Sequence, residues 1–284
     1  MKFIKKSANA TVNVAVLGPK GTFSEIAARK FFADDNFNGE LMYCNEIDEI
    51  FEMVENNTAN FGIVPLENSI EGNINLTIDY IREYYKDIEI KKDIILDVNL
   101  CLMAKEDIGK VEFIYSHPQP IAQSRKFLKK LNKENNNKFK ISSVKSTASA
   151  CQLAKNDKKV AAIGSEDASK IYGLNLLFKN INDYKSQTRF IVIGKANNNK
   201  ISEGKKISVI FEVDNSPGAL YEILKEFAER NINLTKIESR PSKRKLGEYF
   251  FFLEFEGNLN DEKVTMIMKD LKDKVKFIKI LGNY

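Results

Sequence analysis

Thr188, Arg189 and Phe190 put a hydroxyl, a guanidinium and an aromatic ring on three consecutive residues. They follow a polar loop, 182–187, and open an apolar run, 191–193. An arginine can hold a carboxylate through two parallel hydrogen bonds. A threonine hydroxyl can donate one bond while accepting others. Alone, such a tripeptide reads as an ordinary strand start. Its weight comes from the rest of the chain, where hydroxyl and amide side chains recur at turns: Thr22 and Ser24, Asn68 and Ser69, Ser116 and Gln119, Ser146 and Thr147, and Ser165. Each is a common helix-capping residue, and a helix N-terminus also attracts anions. Their shared type and shared position predict a polar cleft for a small anion.

The elements that must position these residues alternate in kind. An apolar strand, 12–17, runs into a glycine turn, and Thr22 with Glu25 forms a capping-box pattern that starts a helix over 23–32. This turn is not a phosphate loop, because Lys20 precedes the second glycine instead of following it. Residues 47–54 have helical spacing on one apolar face, 61–66 read as a strand, and 67–72 as a polar turn leading to a helix that ends near 85. Residues 88–104 are extended and long enough to cross between two lobes. A strand at 113–115 leads to Ser116 and Gln119, a second capping box with Pro118 in the first turn. Strands are predicted at 139–144 and 159–164. Ser146 and Thr147 open one helix, and Ser165 caps another that Gly173 ends. Such alternation predicts an α/β domain with a largely parallel sheet and a ligand site beyond the strands' carboxyl ends. After a polar, Asn-rich linker at 196–205, the order becomes βαββαβ, a ferredoxin-like domain. Its strand edges are suited to pairing with a second copy.

Composition narrows the partners. The 284 residues are 43% hydrophobic and 29% charged, with a net charge of +5 from 44 basic and 39 acidic residues. The basic clusters at 126–133 and 243–245 lack interleaved aromatics, which argues for solvated surfaces and against nucleic acid. Cys44, Cys101 and Cys151 lie far apart in apolar segments, unlike a disulfide framework or a zinc site, and fit packed thiols in a reducing compartment. No apolar run reaches the roughly 20 residues of a membrane helix, and residues 1–10 read as a frayed tail and not a signal peptide. No membrane partner and a cytoplasmic location are expected.

The stretches GPKGTFSE (18–25), VPLENSIEGN (64–73), SHPQPIAQ (116–123), STASA (146–150), GSEDASKIYGL (164–174) and QTRF (187–190), in this order, resemble prephenate dehydratase. NSPGALYEIL (215–224) and ESRP (238–241) resemble the ACT regulatory domain that follows it in that family. The resemblance implies a two-lobed catalytic domain, like the type II periplasmic binding proteins, at 12–195. Lobe 1 would be about 12–96 with 188–195 and lobe 2 about 98–180, followed by the linker and an ACT domain at 206–284. It implies decarboxylating dehydration of prephenate to phenylpyruvate, water and carbon dioxide in phenylalanine synthesis, without metal or cofactor. The short segment before the first strand implies a monofunctional chain without a chorismate mutase.

Thr188 would be the catalytic hydroxyl. Arg189 would order substrate charge, with Thr22, Ser24, Asn68, Ser69, Ser116, Gln119, Thr147, Ser165 and Phe190 holding carboxylates and ring. His117, inside a cap sequence, is read as structural or solvent-facing. L-Phenylalanine would bind between paired ACT copies, in a homodimer or homotetramer. Its contacts would be Asn215, Ser216, Gly218, Ala219 and Leu220 at a helix start, with Glu238, Ser239 and Arg240 from the strand beside it. Tyr221 stands where the family usually has valine, which bears on pocket size. No residue separates prephenate from arogenate as substrate, and a non-catalytic amino-acid sensor is the reading from another class.

Overall fold

The computed structural model describes residues 11–84, 86–196 and 204–284. The tail at 1–10 and most of the linker lie outside them. Lobe 1 begins with β1 (Val12–Leu17), α1 (Phe23–Asp35), β2 (Gly39–Cys44), α2 (Ile47–Glu55), β3 (Phe61–Asn68), β4 (Gly72–Asn73), α3 (Asn75–Tyr84) and β5 (Ile88–Asp97). The chain then crosses to lobe 2. This contains β6 (Cys101–Ala104), β7 (Phe113–Ser116), α4 (Pro118–Gln123), α5 (Arg125–Glu134), β8 (Lys140–Ser143), α6 (Thr147–Asn156), β9 (Val160–Gly164), α7 (Glu166–Tyr172) and β10 (Asn175–Phe178). It returns in β11 (Gln187–Lys195), which rejoins lobe 1.

The two sheets share one plan. Lobe 1 has the order β2-β1-β3-β11-β5, with β4 paired on β3, and lobe 2 the order β10-β6-β9-β7-β8. In each, the strand that arrives from the other lobe, β11 or β6, is antiparallel to both neighbours. The remaining pairs of β1, β2 and β3 and of β7, β8 and β9 are parallel. This is the two-lobed, periplasmic-binding-protein-like arrangement, with two crossings forming the hinge.

The structure departs from the sequence reading at several points. Both sheets are mixed and not largely parallel, since the strand arriving from the other lobe runs against its neighbours. β2 forms at 39–44, where the sequence predicts no strand. The polar turn at 67–72 is a tight hairpin, in which β4 folds back on the end of β3, so Asn68 belongs to a strand pair and not to a strand-to-helix junction. The four residues of β10 also form a strand where the sequence predicts none. So short a run carries little periodicity, and its pairing with β6 is bulged.

The C-terminal domain runs β12 (Lys206–Glu212), α8 (Ala219–Glu229), β13 (Leu234–Pro241), β14 (Tyr249–Glu256), α9 (Glu262–Lys274) and β15 (Phe277–Asn283), the ferredoxin-like order. Its antiparallel sheet, β13-β14-β12-β15, covers the two helices with one face, where Val209, Phe211, Leu253 and Phe255 meet Ile223, Phe227, Val264 and Ile267. The other face joins lobe 1. Ile210, Phe250, Phe252 and Leu281 share one core with Ile50, Phe51, Ile78, Ile191 and Ile193. Burial is worth roughly 1.5–3 kcal/mol for each such side chain, so this contact is a packed interface and not a tether. Backbones approach closely at Gly282, where a Cβ would stand 2.2 Å from the carbonyl oxygen of Ile90.

Candidate active site

A cleft of about 320 Å³ opens between the lobes. From lobe 1 it is lined by the start of α1 (Thr22, Phe23, Ser24), by Leu17, Gly18 and Asn45, by Pro65 and Asn68 of β3, and by Ile74. Thr188 and Phe190 of β11 line the hinge side. Lobe 2 contributes Val98, the start of α4 (His117, Gln119, Pro120, Gln123) and the start of α6 (Lys145, Ser146, Thr147). Three helix starts therefore converge on one space. The unpaired N–H groups and partial positive charge of a helix N-terminus favour an anion there.

Thr188 is fixed by Asn68. The Asn68 Nδ2 donates to Thr188 Oγ1 at 2.9 Å and to Ser186 Oγ at 3.2 Å. Its Oδ1 accepts from the backbone amides of Ile70 and Glu71, at 3.0 and 3.1 Å. Only an oxygen can accept those two bonds, so the amide orientation is set by the hairpin between β3 and β4. Thr188 Oγ1 is thereby an acceptor toward Asn68. Among the described residues its own proton has no protein acceptor and is free for a group in the cleft. A second donor waits opposite: Gln123 is 5% exposed, lines the cleft, and its amide nitrogen, Nε2, has no hydrogen-bond partner among the described residues. A buried amide left unpaired is costly and marks a place for a ligand acceptor or an ordered water.

Charge in the cleft is sparse and positive. Among the described residues no carboxylate lines it, and Lys145 is its one ammonium. His117 caps α4 through its ring, Nδ1 accepting from the Gln119 amide at 3.3 Å. Burial pushes its pKa below the ordinary histidine value, a shift that Glu71 only partly opposes. Behind α1, Glu25 is fully buried and accepts from the Gly21 amide at 2.6 Å and from Arg29. Burial would raise its pKa, but the Gly21 amide and the Arg29 guanidinium outweigh that and hold it below the ordinary glutamate value. The lobes touch across the cleft mouth. Tyr172 donates to the Lys20 carbonyl at 2.7 Å, and Ser165 to the Gly21 carbonyl at 3.3 Å.

Several expected site residues stand elsewhere. Arg189 does not enter the cleft: strand alternation sends it to the opposite face from Thr188. There it donates to both carboxylate oxygens of Glu254, at 2.5 and 2.7 Å, and to Asp93 at 2.9 Å. Ser116 is fully buried, donating to the Ile163 carbonyl at 2.8 Å, and the α4 cap is His117 instead. Ser165 caps α7 and meets Gly21, outside the cleft lining. Ser69 lies beside the lining, its hydroxyl accepting from the Gln187 amide at 2.9 Å. Thr22, Ser24, Asn68, Gln119, Thr147, Thr188 and Phe190 do line it. Lys145, Gln123 and Asn45 carry no signal in the sequence, because a lysine beside a cap or a glutamine one turn into a helix looks like any surface residue.

The expected effector residues are divided. Asn215, Ser216 and Gly218 are exposed before α8, and Gly218 caps that helix with φ +85°, a left-handed conformation suited to glycine. Ala219 and Leu220 follow on the first turn of α8, half-buried. Ser239 lies opposite Phe251, on the helix face of the sheet. Glu238 and Arg240 instead face lobe 1, where Glu238 meets Asn73 and Arg240 pairs with Asp79 at 3.1 Å.

A two-lobed α/β domain with a donor-rich cleft that carries a lysine, followed by a ferredoxin-like domain packed on one lobe, fits an enzyme for a small organic anion with an attached regulatory domain. The family model described as prephenate dehydratase matches residues 14–198, and the ACT domain model matches 207–273. The chain belongs to the prephenate dehydratase family. It is 44% identical over 271 residues to the prephenate dehydratase of Methanocaldococcus jannaschii, covering 94% of this chain and 95% of that one. It is 42% identical over 275 residues to the bifunctional chorismate mutase/prephenate dehydratase of Aquifex aeolicus, covering 96% and 73%. Among solved structures, the prephenate dehydratase of Arthrobacter aurescens in complex with L-Phe has a TM-score of 0.85 at 29% identity, covering 96% of this chain and 89% of that one.

Proposed function

We propose that the cleft converts prephenate to phenylpyruvate, with phenylalanine as the allosteric inhibitor. The electron pair of the ring–carboxylate bond passes into the ring as carbon dioxide leaves. The ring becomes aromatic and expels the hydroxyl at its far carbon, whose oxygen takes a proton and departs as water. Aromatisation supplies the driving force, so the protein's task is to hold a dianion and ease the departure of one oxygen. The observation that carries this reading is the Asn68–Thr188 hydrogen bond, which commits the Thr188 proton to the cleft. A threonine hydroxyl is too weak an acid to surrender its proton outright, so Thr188 acts as a hydrogen-bond donor or relay to the leaving oxygen. Lys145 and the starts of α1 and α6 hold the carboxylates, and Phe190 packs at the floor.

Phenylalanine binds at the 215–220 turn, with Ser239 on the same side of the sheet. The half-exposed Ile237 and the exposed Tyr221 and Tyr249 support pairing of this domain with a second copy, in a homodimer or homotetramer. The three cysteines are buried free thiols, which supports a cytoplasmic setting. No helix among the described residues is long and apolar enough to cross a membrane. The test is one assay. Purified protein is given prephenate, and phenylpyruvate is followed with and without phenylalanine, with light scattering for the assembly. Absence of product from prephenate and from arogenate, with phenylalanine still bound, would leave a sensor and overturn the reading.

A further inference from the structure

β3 and β11 are antiparallel neighbours in which Thr188 stands opposite Asn68 and Arg189 opposite Glu67. Because successive side chains leave a strand on opposite faces, the first pair turns to the cleft and the second to the ACT domain. ACT side chains grip both members of the second pair. Glu254 of β14 takes Arg189 through two parallel bonds of 2.5 and 2.7 Å, and Lys236 of β13 donates to Glu67 at 2.9 Å. The first grip is buried, and the second holds a buried lysine against a partly exposed glutamate. Glu254 is 1% exposed and accepts further bonds from Ser208 and Tyr284, both at 3.0 Å. Asp93 of β5 joins the network, bonded to Arg189 and to Lys206. On the other side Asn73, opposite Glu67 in β4, meets both Lys236 and Glu238.

We propose that Arg189 and Glu67 are positioning residues through which the ACT domain sets the geometry of the Thr188–Asn68 pair. A bidentate arginine–carboxylate pair fixes orientation as well as distance. Each grip lies one residue from a member of the catalytic pair, so a shift of β13 against β14 changes the offset between β3 and β11 at the reacting hydroxyl. Misplacement by about 1 Å can cost on the order of a hundredfold in rate. Regulation by this route acts on turnover, with substrate binding little altered. The proposal rests on Thr188 being the donor described above.

The experiment measures kcat and KM for prephenate, and the response to phenylalanine, in Arg189→Lys, Glu67→Gln, Lys236→Met and the Glu67→Gln/Lys236→Met double variant, with Thr188→Val alongside. Lysine keeps the charge at 189 but loses the fork, so kcat should fall about tenfold with KM nearly unchanged, the pattern of an interaction made only in the transition state. Glu67→Gln and Lys236→Met should each lower kcat by about threefold, and the double variant by no more than the larger single, since both break one contact. Phenylalanine should lose much of its effect on kcat in all four. If Arg189→Lys fails to fold, the Glu67–Lys236 set decides alone, because Glu67 is partly exposed. A rise in KM at constant kcat, additive losses in the double variant, or an intact phenylalanine response would overturn the proposal. If Thr188→Val retains full turnover, the catalytic reading itself fails. If Thr188→Val is inactive while the grip variants match the parent, only the positioning proposal does.

Discussion

A hydroxyl can assist a leaving oxygen only if its proton is not already committed, and here an amide decides that. Replacing Thr188 with valine keeps the shape and removes the donor, so kcat should fall about 10²–10³-fold, the usual loss for one preorganised donor. Serine should keep most of the activity. Asn68→Asp is the sharper variant. A carboxylate at 68 can only accept, so the Thr188 proton would turn to it and away from the cleft. Turnover should drop as far as with valine although both side chains keep their size; parent-like turnover would show that the direction of the bond is irrelevant. Lys145 bears on the choice between prephenate and arogenate. Prephenate is a dianion, whereas arogenate carries an ammonium as well. A lone cation in the lining therefore favours prephenate, and because Lys145 is exposed the preference should fade as salt rises. Lys145→Met should raise KM for prephenate by about tenfold, the size of a modest charge contact of about 1.4 kcal/mol, and affect arogenate less. Equal effects on both substrates in a side-by-side titration would remove Lys145 from the argument.

At the scale of elements, the cleft is built from helix starts, and α1 shows how one is held. Thr22 accepts from the Glu25 amide at 3.3 Å, while the Glu25 carboxylate accepts from Gly21, so the turn and the helix tie each other down. Because its folded pKa lies below the ordinary glutamate value, the stability Glu25 contributes is fully present above the unfolded pKa. It is lost as pH falls through the folded pKa. Glu25→Gln should cost about 1.5–3 kcal/mol at neutral pH, the usual worth of hydrogen bonds to a charged group. The difference from the parent should shrink below about pH 4.5, the model-peptide range of a glutamate, as denaturant melts at several pH values would show. A constant difference across that range would mean that packing, and not the carboxylate charge, holds the turn. The caps themselves were legible in the sequence: Thr22, Ser146 and Ser165 each accept from a first-turn amide, as their residue types predict. Which caps look into the cleft was not legible. Local pattern fixes a side chain's place on its helix, but the packing of lobes fixes what it faces. That is why Ser165 meets the opposite lobe; at α4 the expected cap itself fails, because Ser116 bonds the Ile163 carbonyl and His117 caps the helix.

For the whole molecule, the βαββαβ order was readable from periodicity, and so was the long crossing segment. The identity of Arg189's partner was not, since Glu254 comes from a separate element 65 residues later and only docking brings them together. The docking depends on a glycine. β15 runs so close to β5 that a methyl at Gly282 would fall 2.2 Å from the Ile90 carbonyl oxygen. Both sides of that contact are backbone, so no side-chain rotation relieves it, and β15 must move away. Tyr284, two residues on, bonds Arg189 at 3.2 Å and Glu254 at 3.0 Å, so the displacement reaches the buried ion pair directly. Breaking one partner of such a pair costs about 3–5 kcal/mol, whereas overpacking alone costs about 1–3 kcal/mol. Gly282→Ala should therefore lower Tm by several degrees, hasten hydrogen exchange in β11, and weaken the phenylalanine response more than it weakens prephenate binding. Lobe 2 and the α1 side of lobe 1 have cores that the ACT domain does not share, so the variant should still turn over substrate. A Gly282→Ala protein with parental Tm and full inhibition would show that β15 yields without loosening its hold on lobe 1, and that regulation reaches Thr188 by another route.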